Sequence, residues 1–226
     1  MTHVSVKICG LSTRSTMQAA LDAGAAMVGL VSFPKSPRHV ELANMRQLAE
    51  PARGRSKIVV LTVNADDGAL ADIVSTVRPD YIQLHGEEGV QRVAEVRHTF
   101  QTPLIKAVSV SLPSDIERAR AFSRVADMVL LDAKPPKGAS RPGGLGETFD
   151  WRLLDAIEHK HGFMLAGGLT IGNVRSAVTR TGISWVDVSS GVEHSPGEKD
   201  PEKIRAFIAA AEGNELAEPL KEGSAF

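Results

Sequence analysis

The sequence predicts an α/β protein of the (β/α)8, or TIM-barrel, class, folded as a single domain. Three observations predict it. Eight apolar runs of strand length alternate with eight amphipathic stretches of helix length. Most of the runs are continuously apolar rather than alternating, as expected for strands buried on both faces of a parallel sheet. The length of 226 residues suits a compact barrel, which needs about 200–250. Strands separated by helices form βαβ units with right-handed crossovers. A doubly wound open sheet meets the same alternation and is the structural alternative.

In chain order, strands are expected over residues 4–8, 26–31, 58–63, 81–84, 104–108, 128–131, 163–166 and 185–188. Helices are expected over 15–23, 41–50, 67–77, 89–99, 113–122, 151–159, 171–181 and 200–211. Several carry start signals: Pro113-Ser114-Asp115 opens the fifth, and Asp200-Pro201-Glu202 sets an N-cap before a proline at the first helical position of the eighth. No change of composition marks a linker before Gly213. Residues 1–212 are therefore expected to form one catalytic barrel. Residues 213–226, rich in Glu, Lys, Gly and Pro with little periodic apolar content, are expected to form a mobile tail.

Composition removes several classes of function. The 26 basic and 27 acidic residues give a net charge of −1, which offers no global attraction for nucleic acid or an anionic membrane. Aromatic residues are 4% of the chain, too few for a base-stacking surface. A single cysteine, Cys9, excludes an internal disulfide and a cysteine-rich zinc site. His159, His161 and His194 make no persuasive ligand set, so no metal and no cofactor are expected. The longest nearly apolar stretch, residues 23–33, is well short of the ~20 needed to span a bilayer. The first ten residues lack the pattern of a signal peptide. A cytoplasmic protein acting on a small molecule is the expectation.

In a barrel, chemistry sits at the carboxyl ends of the strands. The seventh strand ends in Gly167-Gly168 and the eighth leads into Ser190-Gly191. Glycines there let backbone N–H groups approach an anion, and barrels often bind phosphate in these two loops. Either pair alone reads as turn glycines; both together, in order, point to a phosphate-bearing ligand. Cys9 ends the first strand and reads either as a small buried apolar residue or as a thiolate that removes a proton, which needs positive charge near it. Lys7 has that charge, but strand alternation is expected to turn it to the opposite face. Asp132 ends the sixth strand and reads either as a cap or as a carboxyl kept protonated by burial, available as an acid. Arg38, in a loop stiffened by Pro34 and Pro37, offers a planar fork for a carboxylate or phosphate, or is a solvated charge. His85 reads as a substrate contact or a structural histidine. The long connection after Asp132, with Gly143, Gly144 and Gly146, is a candidate lid.

Seven segments at these strand ends resemble the phosphoribosylanthranilate isomerase family of tryptophan biosynthesis. They are KICGL at 7–11, FPKSPRHV at 33–40, QLHGEE at 83–88, LLDAKPPKG at 130–138, GGLGETFDW at 143–151, LAGGL at 165–169 and DVSSGVEHSPGEKD at 187–200. The resemblance ends near Ala211. It implies an Amadori rearrangement of N-(5-phosphoribosyl)anthranilate to 1-(2-carboxyphenylamino)-1-deoxyribulose 5-phosphate, without metal or cofactor. It further implies Cys9 as general base, Asp132 as general acid and Arg38 as partner of the anthranilate carboxylate. By the same resemblance Gly167, Gly168, Ser190 and Gly191 hold the phosphate, and Asp187 contacts sugar hydroxyls. The implied partner is the small phosphosugar, with no nucleic acid or membrane, and monomer and homodimer both stay open. Leu145 departs from the small or polar residue the family usually has in its Gly-Gly-x-Gly loop, which bears on lid contacts and not on the acid–base pair. A related histidine-pathway sugar isomerase uses aspartate at both positions, so Cys9 argues against it. A non-catalytic phosphosugar-binding barrel would have no need of both Cys9 and Asp132.

Overall fold

Eight parallel strands close into a barrel, which excludes the open sheet. The structure is a computed structural model and describes residues 3–133 and 148–213. The strands are β1 (Ser5–Cys9), β2 (Met27–Ser32), β3 (Lys57–Thr62), β4 (Tyr81–Leu84), β5 (Leu104–Val110), β6 (Met128–Ala133), β7 (Phe163–Leu165) and β8 (Trp185–Val188). Closure is made by β1 against β8, with Ser5 opposite Trp185 and Lys7 opposite Asp187. The helices are α1 (Arg14–Asp22), α2 (Leu42–Ala49), α3 (Asp67–Val77), α4 (Val90–Phe100), α5 (Pro113–Phe122), α6 (Val174–Thr181) and α7 (Pro201–Glu212). Among the described residues, no helix is long and apolar enough to cross a membrane.

Alternate residues along each strand explain the continuous apolar runs. Val6, Ile8, Val28, Leu30, Ile82, Leu84, Val129, Leu131, Val186 and Val188 face outward and join the core beneath the helices. Met27, Val59, Ile105, Met128, Leu130 and Met164 point inward and fill the barrel interior. Each such side chain contributes about 1.5–3 kcal/mol by leaving water. Above this plug, Cys9 packs with Val31 and Leu61. Strand ends beyond that level point into the mouth.

The helix starts obey the side-chain chemistry expected of them. Asp66 accepts from Ala69 N at 2.8 Å and Asp200 from Glu202 N at 2.8 Å, each satisfying a backbone donor that the first turn leaves open. Asp115 reaches back to the backbone N–H groups of Ser111 and Leu112, both at 2.9 Å.

Two expected helices differ. The stretch expected as a helix over 151–159 is a 3-10 helix, Trp151–Ala156, because Ile157 turns extended to carry the chain back towards β7 and only Leu154 of that helix is buried. The helix expected from Ile171 starts at Val174, since the Asn173 carboxamide binds Thr170 N at 2.8 Å and Gly168 O at 3.0 Å and holds the preceding residues as a turn. The loop after β8 also holds structure that was not anticipated: a 3-10 helix, Ser190–Val192, and an antiparallel hairpin of β9 (Glu193–Ser195) with β10 (Glu198–Lys199).

Candidate active site

Cys9 ends β1 on the inner face of the mouth, only 4% exposed. Lys7 lies on that same face, which corrects the expectation from alternation. A strand's side chains repeat every two residues, so positions 7 and 9 point the same way. The Lys7 ammonium is fully buried and donates to Asp187 Oδ1 at 2.7 Å. Burial opposes the charge of Lys7, yet Asp187 and Cys9 together hold its pKa above the ordinary lysine value. Burial pushes the Cys9 thiol up, Lys7 and Lys199 pull it back, and the net shift is upward.

Asp132 is the penultimate residue of β6 and is buried. Its Oδ1 accepts from Ala133 N at 2.9 Å, and its Oδ2 lies 3.4 Å from His85 Nε2. On the other side of the ring, His85 Nδ1 meets Gln83 Nε2 at 2.9 Å. Gln83 is fully buried inside the barrel, and its Oε1 has no hydrogen-bond partner. The sequence left His85 between two readings; the structure sets it beside Asp132. Gly167 explains how the next loop fits so closely. It has φ +81°, and a Cβ there would overlap Ala133 N and stand 2.9 Å from Asp132 Oδ1.

Arg38 is buried, not solvated. Its stem crosses Gly10, where a Cβ would come within 2.7 Å of Arg38 Cδ, so the residue after the candidate base is bare to let Arg38 pass. The guanidinium binds Glu193 through two nitrogens, Nε to Oε1 at 2.6 Å and Nη2 to Oε2 at 2.8 Å. Lys199 Nζ joins at 2.5 Å from Glu193 Oε1 and also donates to Ser189 O at 3.0 Å. Ser189 Oγ in turn donates to the Cys9 carbonyl at 3.1 Å. A continuous polar strap thus runs from the backbone of Cys9 to the fork of Arg38. Burial raises the Glu193 carboxyl, but the Arg38 and Lys199 partners outweigh it and hold the pKa below the ordinary value. For Lys199 burial wins over Glu193, and its pKa is lowered. Glu193, Lys199 and Ser189 lie within the DVSSGVEHSPGEKD segment, yet no periodicity or spacing assigned them a role.

The two glycine loops meet. Gly167 and Gly168 both have positive φ, 81° and 61°, and a Cβ on Gly191 would overlap Leu169 O in the loop after β7. Ser190 opens the short 3-10 helix beside Gly191. Gly143, Gly144 and Gly146 lie outside the described residues. Among the described residues, no group of three or more His, Cys, Asp or Glu side chains is placed to hold a metal ion.

Comparison with known proteins agrees with this geometry. The family profile described as N-(5'phosphoribosyl)anthranilate (PRA) isomerase matches residues 6–210. An N-(5'-phosphoribosyl)anthranilate isomerase of Rhodopseudomonas palustris (strain BisA53) is 55% identical over 212 residues, covering 94% of this chain and 97% of the relative. The crystal structure of phosphoribosyl anthranilate isomerase from Thermotoga maritima superposes with a TM-score of 0.82 at 36% identity, covering 93% of this chain and 99% of that one. Another phosphoribosyl anthranilate isomerase, solved in complex with reduced 1-(o-carboxyphenylamino)-1-deoxyribulose 5-phosphate, gives 0.78 at 33%, with the same coverage. With the match running from β1 into α7 and through every strand end that builds the mouth, the chain belongs to the N-(5'-phosphoribosyl)anthranilate isomerase family.

Proposed function

We propose that Cys9 and Asp132 are the proton-transfer pair of the family's reaction in this chain. That reaction, a step of tryptophan biosynthesis, converts N-(5'-phosphoribosyl)anthranilate to the deoxyribulose phosphate by an Amadori rearrangement. One observation carries the assignment: a thiol with an ammonium beside it and a buried carboxyl with a histidine beside it stand at the ends of β1 and β6. Asp132 gives a proton to the furanose ring oxygen. The C1–O bond breaks and the anthranilate nitrogen lone pair closes a protonated Schiff base. Cys9 as thiolate then takes the proton from C2, and the electrons released neutralise the nitrogen to leave an enolamine. Tautomerisation of that enolamine, with the proton arriving at C1, gives the ketose.

The remaining residues bind and orient. Arg38 faces the anthranilate carboxylate, its fork aimed by Glu193. Backbone groups around Gly167, Gly168, Ser190 and Gly191 receive the phosphate, supported by the close packing of these loops. Asp187 is assigned to the sugar hydroxyls, and His85 to the substrate beside Asp132. A relative with a reduced phosphosugar product in its complex supports a small phosphosugar as the ligand. We assign residues 1–212 to the catalytic barrel, with α7 ending at Glu212 and Gly213 capping it. The work of such an enzyme on a soluble phosphorylated intermediate is placed in the cytoplasm.

Complementation of a tryptophan auxotroph lacking this isomerase tests substrate and reaction together. Growth on minimal medium with the wild-type chain, and none with Cys9→Ala or Asp132→Asn, is the expected result. Growth with either variant at the wild-type rate removes that residue from the mechanism.

A further inference from the structure

We propose that Lys7 is a positioning residue for the base: its ammonium, clamped by Asp187, stands beside Cys9 inside the barrel and favours the thiolate over the thiol. The proposal rests on the reading of Cys9 as the proton acceptor. Three observations carry it.

The first is place. Below the mouth the barrel interior is filled by Met27, Val59, Ile105, Met128, Leu130 and Met164, yet Lys7 stands fully buried two residues before Cys9 on the same face. A buried ion pair is a poor device for stability, since apolar groups of the same volume do as well or better.

The second is the space made for it. Gly29 on β2 lies opposite Cys9. A Cβ there would come 3.1 Å from Cys9 Sγ and 3.3 Å from Lys7 Nζ, both tighter than ordinary contact. Sulfur and ammonium therefore share the room that a missing side chain leaves.

The third is charge. An ammonium has three donors and no acceptor. One bond goes to Asp187 at 2.7 Å, and Cys9 is the other group whose proximity raises the Lys7 pKa. The ionisable groups facing Cys9 are Lys7 on its own strand, Asp187 from β8 and Lys199 from β10, while β2 and β3 present Gly29, Val31 and Leu61. Burial works against the thiolate, Asp187 adds to that opposition, and Lys7 is the foremost influence in its favour. Asp187 keeps the lysine protonated and so acts on the base through it.

The chain has one cysteine, so alkylation of the whole protein reads a single thiol. The experiment follows carbamidomethylation by iodoacetamide against pH in the substrate-free, full-length enzyme, alongside the pH profile of kcat/KM. The variants are Lys7→Met, and Lys7→Met with Asp187→Asn, which removes both charges at similar volume should the single change fail to fold. Circular dichroism confirms folding of whichever is used. At about pH 8 folded Lys7→Met is expected to alkylate at least ~10-fold more slowly than wild type, the effect of a one-unit rise in the thiol pKa. The double variant, which also loses the opposing charge of Asp187, is expected to be slower than wild type by a smaller factor. In each, the acid limb of the kcat/KM profile is expected to move to higher pH by the corresponding amount. A folded variant that alkylates at the wild-type rate with its limb unmoved overturns the proposal and leaves Lys7 a structural residue. Near-normal turnover by Cys9→Ala, by contrast, defeats the assignment of Cys9 itself, so the two failures are told apart.

Discussion

Glu193 grips Arg38 with both carboxylate oxygens, at 2.6 and 2.8 Å, where both side chains are 5% exposed. Two parallel bonds fix the plane of a guanidinium as one cannot, so the orientation of Arg38 towards the carboxylate proposed for it depends on a residue of the β9–β10 hairpin. Glu193→Gln keeps the shape but not the charge. A hydrogen bond to a charged group contributes about 1.5–3 kcal/mol, so KM is expected to rise roughly tenfold or more, with a smaller change in kcat. Arg38→Ala should raise KM at least as far. Steady-state kinetics with unchanged KM in both variants would remove this pair from substrate binding.

The same carboxylate has a pH signature. Arg38 and Lys199 outweigh burial and hold the folded-state pKa of Glu193 below its ordinary 4.5. Its contribution to stability is therefore fully present above about pH 4.5 and is lost as pH falls through the lowered folded value. In Glu193→Gln that share of the acid sensitivity is absent. Melting temperatures measured below pH 4.5 should fall less steeply with pH in the variant than in wild type. Parallel slopes would show that the cluster does not couple to acid unfolding.

Removing either proposed proton-transfer group leaves the binding surface standing. Cys9→Ala and Asp132→Asn are each expected to lower kcat by at least ~100-fold, the lower end for positioned acids and bases. KM is expected to change far less, since Arg38 and the glycine loops are untouched. A KM effect larger than the kcat effect in Asp132→Asn would recast that residue as a binding group.

Much of this site is legible in the sequence because strand ends are local features. Cys9, Asp132, Gly167 and Gly191 each follow an apolar run, and a barrel brings all such ends to one face. Lys7 is legible too once its spacing of two from Cys9 is applied correctly. The Glu193–Lys199–Ser189 strap is not: its partners are Arg38, 155 residues away, and Cys9, 180 residues away. Only closure of β1 on β8 makes them neighbours. The 3-10 turn at Trp151–Ala156 escapes for another reason, since an amphipathic pattern does not distinguish a helix from a chain that has too little room to complete one.

Gly191 tests the phosphate binding proposed for the loops after β7 and β8. A Cβ there would overlap Leu169 O, and that oxygen belongs to backbone, so the loops after β7 and β8 must part to admit it. Gly191→Ala is expected to raise KM about tenfold or more and to weaken competitive inhibition by inorganic phosphate in step. Inhibition by phosphate unchanged alongside a raised KM would place the phosphate elsewhere in the mouth.

Glu88 and Lys106 form a further buried pair, Nζ to Oε2 at 2.6 Å, outside the mouth but beneath the loop that carries His85. Lys106 also donates to Gly86 O at 2.7 Å, while Glu88 accepts from Gly86 N and Asn64 N, each at 2.9 Å. Burial pulls the Lys106 pKa down against the attraction of Glu88, so the ammonium depends on its partner. Glu88→Ala strands that charge and is expected to cost about 3–5 kcal/mol, a loss of roughly 6–20 °C in melting temperature for a domain of this size. Lys106→Met with Glu88→Leu restores apolar packing and should recover part of the stability. It does not restore the acceptors of Gly86 N and Asn64 N, so the His85 loop stays loosely held. The double variant is therefore expected to melt between Glu88→Ala and the wild type, and to have a kcat below that of the wild type. Full recovery of both would confine the pair to a structural role.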